Sequence, residues 1–502
     1  MKIIPDLILI PLGRIISTSF STGVYPDALK ISKIIPIYKG GSNENVNNYR
    51  PISLLSIFDK IVEKIMHSRL YEFLIEHKIL HPKQFGFRKN NSTSYALLEI
   101  SEKIKETIDK NKYGCGVFID LRKAFDTVNH KILLNKMEHY GIRGTSLAWF
   151  NSYLFNRRQY VFINGESSSL LNVSCGVPQG SVLGPLLFLI YINDLPQISK
   201  NLNFFLFADD TNIYLEGDSP EKLEKQMNRG LKKLQNWLII NRLSLNIDKT
   251  NFVFFRPYNK PLKKSITLLI QKKAIQEKNA VKYLGLLIDS GLTWKAHLEN
   301  LSKKISKTIG LLYKIRPYVS KDILKMLYYS LVYSHISYGI EVWGSADPCH
   351  LNNILLIQKR AARLITRNDI RFNDFSYNSS NPLFVQLGFL KVKDVFRLRI
   401  SKFIYDCLNK NTPEIFHHWF KLTTNVHKYR TRSKYVSIEM NSMTRTLYIN
   451  SARTTHYGLK LAKVFGAKIW NQLPASLRTE QTSYFSFYNG LKRHILTGYS
   501  IE

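Results

Sequence analysis
Acidic residues and cysteines are scarce in this sequence. Its 502 residues include 37 Asp and Glu against 72 Lys and Arg, a formal net charge of +35. A surface so short of acid needs polyanionic company, and a long phosphate backbone is the leading candidate. Ribosomal, histone-like and membrane-surface proteins share the trait, so charge alone does not choose among them. The shortage is sharpest near the end, where residues 371–502 hold seven acids. The four cysteines, Cys115, Cys175, Cys349 and Cys407, are scattered, without a CxxC pair or a Cys/His cluster. That argues against a disulfide framework and a zinc knuckle, and suits a reducing compartment. No run of about 18 uninterrupted apolar residues occurs, so no membrane span is expected. The apolar N-terminal stretch is broken by Pro5, Pro11 and Arg14. It reads as a buried helix or loop pair rather than an export signal.

What is present is ample core material: 44% of the residues are hydrophobic, enough at this length for more than one domain. NFFLFADDTNIY (203–214) sets Asp209 and Asp210 between two apolar runs, the pattern of a tight hairpin between buried strands. Paired Asp at such a tip is either turn chemistry or an oxygen-ligand site for Mg²⁺. Upstream, Ile31–Tyr38 reads as a strand followed by a Lys39-Gly40-Gly41 turn, able to turn a hairpin or to meet a phosphate. An amphipathic helix is expected from Pro51, with Leu54, Ile57, Phe58, Ile61, Ile65 and Leu70 facing the core. In QFGFRKNNSTS, Arg88 is either a phosphate contact or a solvated loop residue, and Ser92 or Thr93 caps the next helix.

GVFIDLRKAFDTVNH predicts a buried strand ending at Asp120, then a helix through Ala124, Phe125, Val128 and Ile132. Asp126 reads as a helix-surface or structural residue there rather than a ligand. The glycines and prolines of CGVPQGSVLGP (175–185) make a stiff loop whose backbone can touch a ligand. Ser219 or Asp218 with Pro220 opens a helix whose core face is Leu223, Met227, Leu231, Leu234 and Leu238. Lys249 sits in the turn before the strand ending at Phe255, and VKYLGLLID (281–289) reads as one further strand. From about Trp294 the chain becomes helical and basic, with Lys303, Lys304, Lys307, Arg360 and Arg363 among interleaved aromatics.

The order of these pieces resembles the reverse transcriptases of non-LTR retrotransposons of the jockey- and chicken-repeat-like kind. The match runs motif by motif from about Leu29 to Asp289, and LYYSLVYSHISYGIEVWG and FGAKIWNQLP extend it. The resemblance implies an α+β right-hand polymerase with fingers, a palm built on an antiparallel sheet, and a thumb, followed by a mainly helical basic C-terminal region. Residues 1–24 would be an N-terminal extension. Fingers would occupy about 25–113, palm about 114–290, thumb 291–370 and the C-terminal region 371–502. Asp120 and Asp209 would hold two Mg²⁺ ions, with Mn²⁺ able to substitute and Asp210 completing the site. Phe125 would screen the sugar 2′-position. Gln179 and Gly180 would meet the incoming nucleotide and template, Arg88 its phosphates, and Lys249 would be the general acid for pyrophosphate. Lys303, Lys304, Lys307, Arg360 and Arg363 would follow the backbone of an RNA–DNA hybrid.

The implied partners are an RNA template, the element's own transcript being the first candidate, a DNA primer and dNTPs. The expected setting is a ribonucleoprotein in the nucleus or cytoplasm. About thirty residues precede the first motif, too few for the endonuclease domain of full-length elements. The sequence therefore reads as the polymerase part of a longer element. The rival readings are a non-catalytic RNA-binding descendant, against which the intact aspartates speak, and an intron maturase or telomerase-like polymerase.

Overall fold
The computed structural model describes residues 6–257, 260, 265–366, 380–426, 444–480 and 482–501. The expected C-terminal region is thus covered in part. The chain opens on helix α1 (Asp6–Thr22), which carries Pro11 inside it. Ile16 and Ser19 are buried while Ile8, Leu9, Ile10 and Ile15 are exposed, so this helix is buried along a narrow line only. Strand β1 (Ile31–Tyr38) has the bounds its apolar run predicts. It pairs antiparallel with β2 (Tyr49–Leu54) and parallel with β5 (Arg158–Ile163). The short β6 (Glu166–Ser167) and β7 (Leu171–Asn172) pair with β5.

β2 stands where a helix was expected from Pro51. Pro51 lies opposite Pro36 on an edge strand, the position in a sheet that tolerates a residue without an N–H. Helix α2 (Ile57–Glu76) begins where the Ser56 side chain accepts the Asp59 N–H at 3.1 Å. Its buried apolar stripe is Val62, Met66, Leu70 and Leu74, whereas Leu54, Ile57 and Phe58 are exposed.

A five-stranded sheet in the order β14-β11-β3-β9-β8 divides the molecule. β3 (Tyr113–Ile119), β8 (Asn203–Phe207), β9 (Asp210–Gly217) and β11 (Asn251–Phe255) are antiparallel neighbours, and β14 (Gln276–Glu277) runs parallel to β11. Because side chains alternate along a strand, the two faces feed two cores. Cys115, Val117, Ile119, Phe204, Leu206, Ile213, Phe252 and Phe254 enter one. Phe118, Phe205, Tyr214, Val253 and Phe255 enter the other. Each such fully buried Phe, Leu, Ile or Val side chain contributes about 1.5–3 kcal/mol.

The first core takes in side chains of α2, α4 (His130–His139), α5 (Gly144–Leu154), α6 (Gly184–Ile192) and α7 (Pro220–Ile240). The second takes in α3 (Thr93–Asp109) and runs on into α8 (Lys295–Ile315) and α9 (Lys321–Tyr328). It continues into the helices Pro348–Thr366, Val392–Leu408 and Ala462–Asn471. Packing is therefore continuous across residue 290. α7 matches its prediction: Ser219 accepts the Lys222 N–H at 3.3 Å, and Leu223, Met227, Leu231, Leu234 and Leu238 are buried. No helix of the described residues is long and apolar enough to cross a membrane.

Two local expectations give way. After Asp120 the chain forms β4 (Leu121–Arg122), paired with β10 (Ser244–Leu245), and then a single 3₁₀ turn over Ala124–Thr127. Lys123, with φ of 47°, interrupts the helical path, so α4 starts only at His130, capped by Asn129. Residues 281–289 are a hairpin rather than one strand: β15 (Ala280–Tyr283) turns through Leu284 and Gly285, both at positive φ, into β16 (Leu286–Asp289). The remaining pair, β12 (Leu269–Ile270) and β13 (Lys273–Ala274), forms a separate small hairpin.

Candidate active site
Asp120, Asp209 and Asp210 meet at one end of the central sheet. Asp120 follows Ile119, which lies opposite Thr211 on β9, and Asp210 lies opposite Phe207 across the β8–β9 turn. Ala208, at φ of 55°, turns the chain between the strands. Burial, and next the charge of Asp120, raise the pKa of Asp209, while Arg50 on β2 opposes the rise. Burial, then the charges of Asp209 and Asp120, push the Asp210 carboxyl up to about 6. The three carboxylates thus sense one another at the tip of an apolar sheet.

This donor set is all oxygen, the chemistry that Mg²⁺ prefers. Among the described residues no three acid, His or Cys side chains close into a ready cage. Mg²⁺ keeps waters and substrate phosphates in its shell and is usually held by one or two carboxylates. An open set of aspartates therefore fits the ion.

Three loops surround the carboxylates. The turn after β10 holds Asp120: its N–H donates to Thr250 Oγ1 at 3.4 Å, and its carbonyl accepts the Asn246 N–H at 2.8 Å. Lys249 is exposed on that same turn. The QFGF loop lies directly behind the Asp-Asp turn. Gln84 Oε1 accepts the N–H of Ala208 at 3.1 Å and of Gly86 at 2.9 Å. The Phe85 N–H donates to the Leu206 carbonyl at 2.8 Å. At Gly86 a Cβ would stand 2.5 Å from Ala208 N, so only glycine allows this approach. Arg88, in the same loop, donates from Nη1 to the carbonyls of His81 at 2.9 Å and Gln84 at 3.2 Å. Its guanidinium therefore holds the loop's own backbone.

The PQG loop forms a third wall. The Gln179 carbonyl accepts the Ser53 N–H at 2.7 Å, and its side-chain Nε2 donates to Asp126 Oδ1 at 2.7 Å. Asp126 is thus structural rather than a helix-surface residue, the second of the two roles its sequence setting allows. Gly180, at φ of 126°, passes so close to β2 that a Cβ would lie 2.6 Å from the Ser53 carbonyl. Phe125 stacks on Phe188 of α6 at 4.5 Å and meets Phe87 of the QFGF loop edge-on at 6.3 Å, a half-buried ring fixed between helix and loop.

The profile of the reverse transcriptase (RNA-dependent DNA polymerase) family matches residues 37–288, half of the chain and all three aspartates. The chain belongs to this family. It is 29% identical over 379 residues to the RNA-directed DNA polymerase from mobile element jockey of Drosophila melanogaster. It is 30% identical over 380 residues to the probable RNA-directed DNA polymerase from transposon X-element of the same fly. Both alignments cover 73% of this chain and 41% of the relative, so the chain spans about two fifths of their length. An apo telomerase from Candida tropicalis superposes over 82% of this chain and 73% of that one, at 12% identity and a TM-score of 0.41.

In this reverse transcriptase, Lys303, Lys304 and Lys307 are exposed on α8. Arg360 and Arg363 are exposed on the helix Pro348–Thr366, which packs on α8. Tyr313 and Tyr318 are exposed beside them in sequence. Three further residues around the site, Gln84, Arg50 and Tyr283, were not singled out by the sequence. Tyr283 is buried with no hydrogen-bond partner for its hydroxyl among the described residues, and the Asp210 charge, after burial, raises its pKa. Polarity at these positions is a signal, but their partners are distant in sequence.

Proposed function
We propose that the chain is an RNA-directed DNA polymerase of a non-LTR retrotransposon that extends a DNA primer 3′-hydroxyl with dNTPs on an RNA template. The convergence of Asp120, Asp209 and Asp210 at one end of the sheet carries the reading, since Asp120 contributes to the raised values of both other carboxyls. Asp120 and Asp209 would hold two Mg²⁺ ions, with Asp210 completing the site, and the metal would supply activation of the primer hydroxyl and charge neutralisation at the pyrophosphate.

The chain's own residues do the positioning. Phe125, clamped by Phe188 and Phe87, screens the sugar 2′-position and favours deoxynucleotides. Gln179 and Gly180 serve the nucleotide and template side, and Lys249, exposed on the turn after β10, is the general acid for pyrophosphate in this reading. Residues 25–113 act as fingers, 114–290 as palm and 291–370 as thumb, with the basic thumb and C-terminal region on the phosphates of the hybrid. The template of choice is the element's own RNA, within an intracellular ribonucleoprotein in the nucleus or cytoplasm.

The test is primer extension on poly(rA)/oligo(dT) with Mg²⁺, comparing the wild type with Asp209→Asn/Asp210→Asn. Extension should vanish in the variant while hybrid binding persists. Folded wild-type protein that binds the hybrid and extends nothing would overturn the reading and leave a nucleic-acid-binding protein.

A further inference from the structure
Two carboxylates face inward from α2. Asp59 and Glu63 stand one turn apart, which puts them on one face, and both are fully buried. Tyr25, Tyr153 and Arg157, all buried, stand against them. Arg157 pairs with Asp59 at 3.5 Å, and the Tyr25 hydroxyl donates to the same carboxylate. Glu63 is held by neutral donors instead. Its Oε1 accepts the Tyr153 hydroxyl at 2.5 Å, and its Oε2 accepts the backbone N–H of Val182 at 2.5 Å. Burial, and then the charge of Asp59, push its pKa up to about 7. A carboxylate so buried is a weak choice for stability alone, because apolar residues of similar volume often do as well or better.

Val182 explains the choice. It lies three residues beyond Gln179 in the PQG loop, whose start is tied through the Gly176 and Val177 N–H groups to the Val128 and Phe125 carbonyls and whose Gln179 is tied to Ser53 on β2 and to Asp126. Those ties fix the loop as far as Gln179. Glu63 fixes it just before α6 begins, where Ser181 caps the turn by accepting the Gly184 N–H at 2.8 Å. We propose that Glu63 is a positioning residue for the incoming nucleotide: through Val182 it sets the PQG loop and hence the affinity for dNTP. This rests on the polymerase reading of that loop. It goes beyond that reading by naming a residue that is buried and touches no substrate.

The test compares Glu63→Met, which keeps volume without an acceptor, with Glu63→Gln, which restores one. At pH 8, where Glu63 is mostly ionised, losing the Val182 hydrogen bond to this carboxylate should raise the KM for dTTP about tenfold in the Met variant, with kcat within about twofold. The Gln variant should lie within about threefold of wild type. Asp59→Asn, which disturbs the same network away from the loop, should leave KM in place. Amide hydrogen exchange at Val182 should quicken about tenfold in the Met variant while amides of β3 and β9 keep their protection. Unchanged KM in folded Glu63→Met, or equal losses in all three variants, would overturn the proposal. If wild-type protein extends nothing, the polymerase reading fails, and unaltered exchange at Val182 would separately refute the loop tie.

Discussion
Asp210 is exposed as a residue, yet partial burial of its carboxyl, followed by the charges of Asp209 and Asp120, pushes its pKa up to about 6. Its folded value lies above the ordinary one of 3.8, so the unfolded chain gives up the proton first as pH rises. The associated stability is complete below about pH 4 and is lost as pH climbs through about 6. A carboxyl raised that far corresponds to about 3 kcal/mol, which solvent screening of an exposed group reduces to about 1 kcal/mol. Asp210→Asn should therefore melt about one or two degrees above wild type at pH 8 in chelator, the gap closing by pH 4. A variant that melts lower at pH 8 would show that Asp210 makes a stabilising contact instead. Scanning calorimetry across that pH range reads both. The three aspartates were legible as letters, two adjacent at a turn and one at the end of an apolar run. Glu63 and Gln84 were not, because the backbone groups they hold lie 119 and 124 residues away.

At the scale of elements, the β8–β9 hairpin does not stand alone: its turn is braced from behind by the QFGF loop. Gln84 satisfies the Ala208 N–H, and Gly86 leaves room for it. Gly86→Ala would force backbone against backbone, so the turn must shift at a cost of about 1–3 kcal/mol. Extension should fall at least about tenfold, because a displacement of an ångström is enough to spoil reacting geometry. Hybrid binding should stay near wild type. Equal extension by wild type and Gly86→Ala in a primer-extension assay would show that the brace is dispensable. β1 was legible from its apolar run and the Lys39-Gly40-Gly41 turn that follows, and α7 because its period and its cap agreed. α2 was harder, since Pro51 and Leu54 happen to continue its helical spacing backwards into what is an edge strand. The hairpin 280–289 was masked by Leu284, an apolar residue at a positive-φ position where Gly, Asn or Asp is usual.

For the whole molecule, the central sheet acts as a partition: one core lies under α2 and α4–α7, and the other is continuous with the helices beyond residue 294. The carboxylates sit at the end of that partition, so a nucleic acid reaching them meets a body carrying net +35. Binding should then be driven by counterion release and weaken steeply with salt. Lys303, Lys304 and Lys307 are exposed on α8, and each that touches a phosphate adds about 0.9 to the slope of log affinity against log salt. Replacing the three with Ala should weaken hybrid binding at low salt, whatever the base sequence, and reduce the slope by about one for each phosphate no longer neutralised. Wild type and variant should converge as salt rises, since the variant has fewer counterions left to release. Titrating a labelled RNA–DNA hybrid at several salt concentrations measures both quantities. A lower affinity with an unchanged slope would mean that α8 matters through packing, and an unchanged affinity would place the phosphate track on other helices.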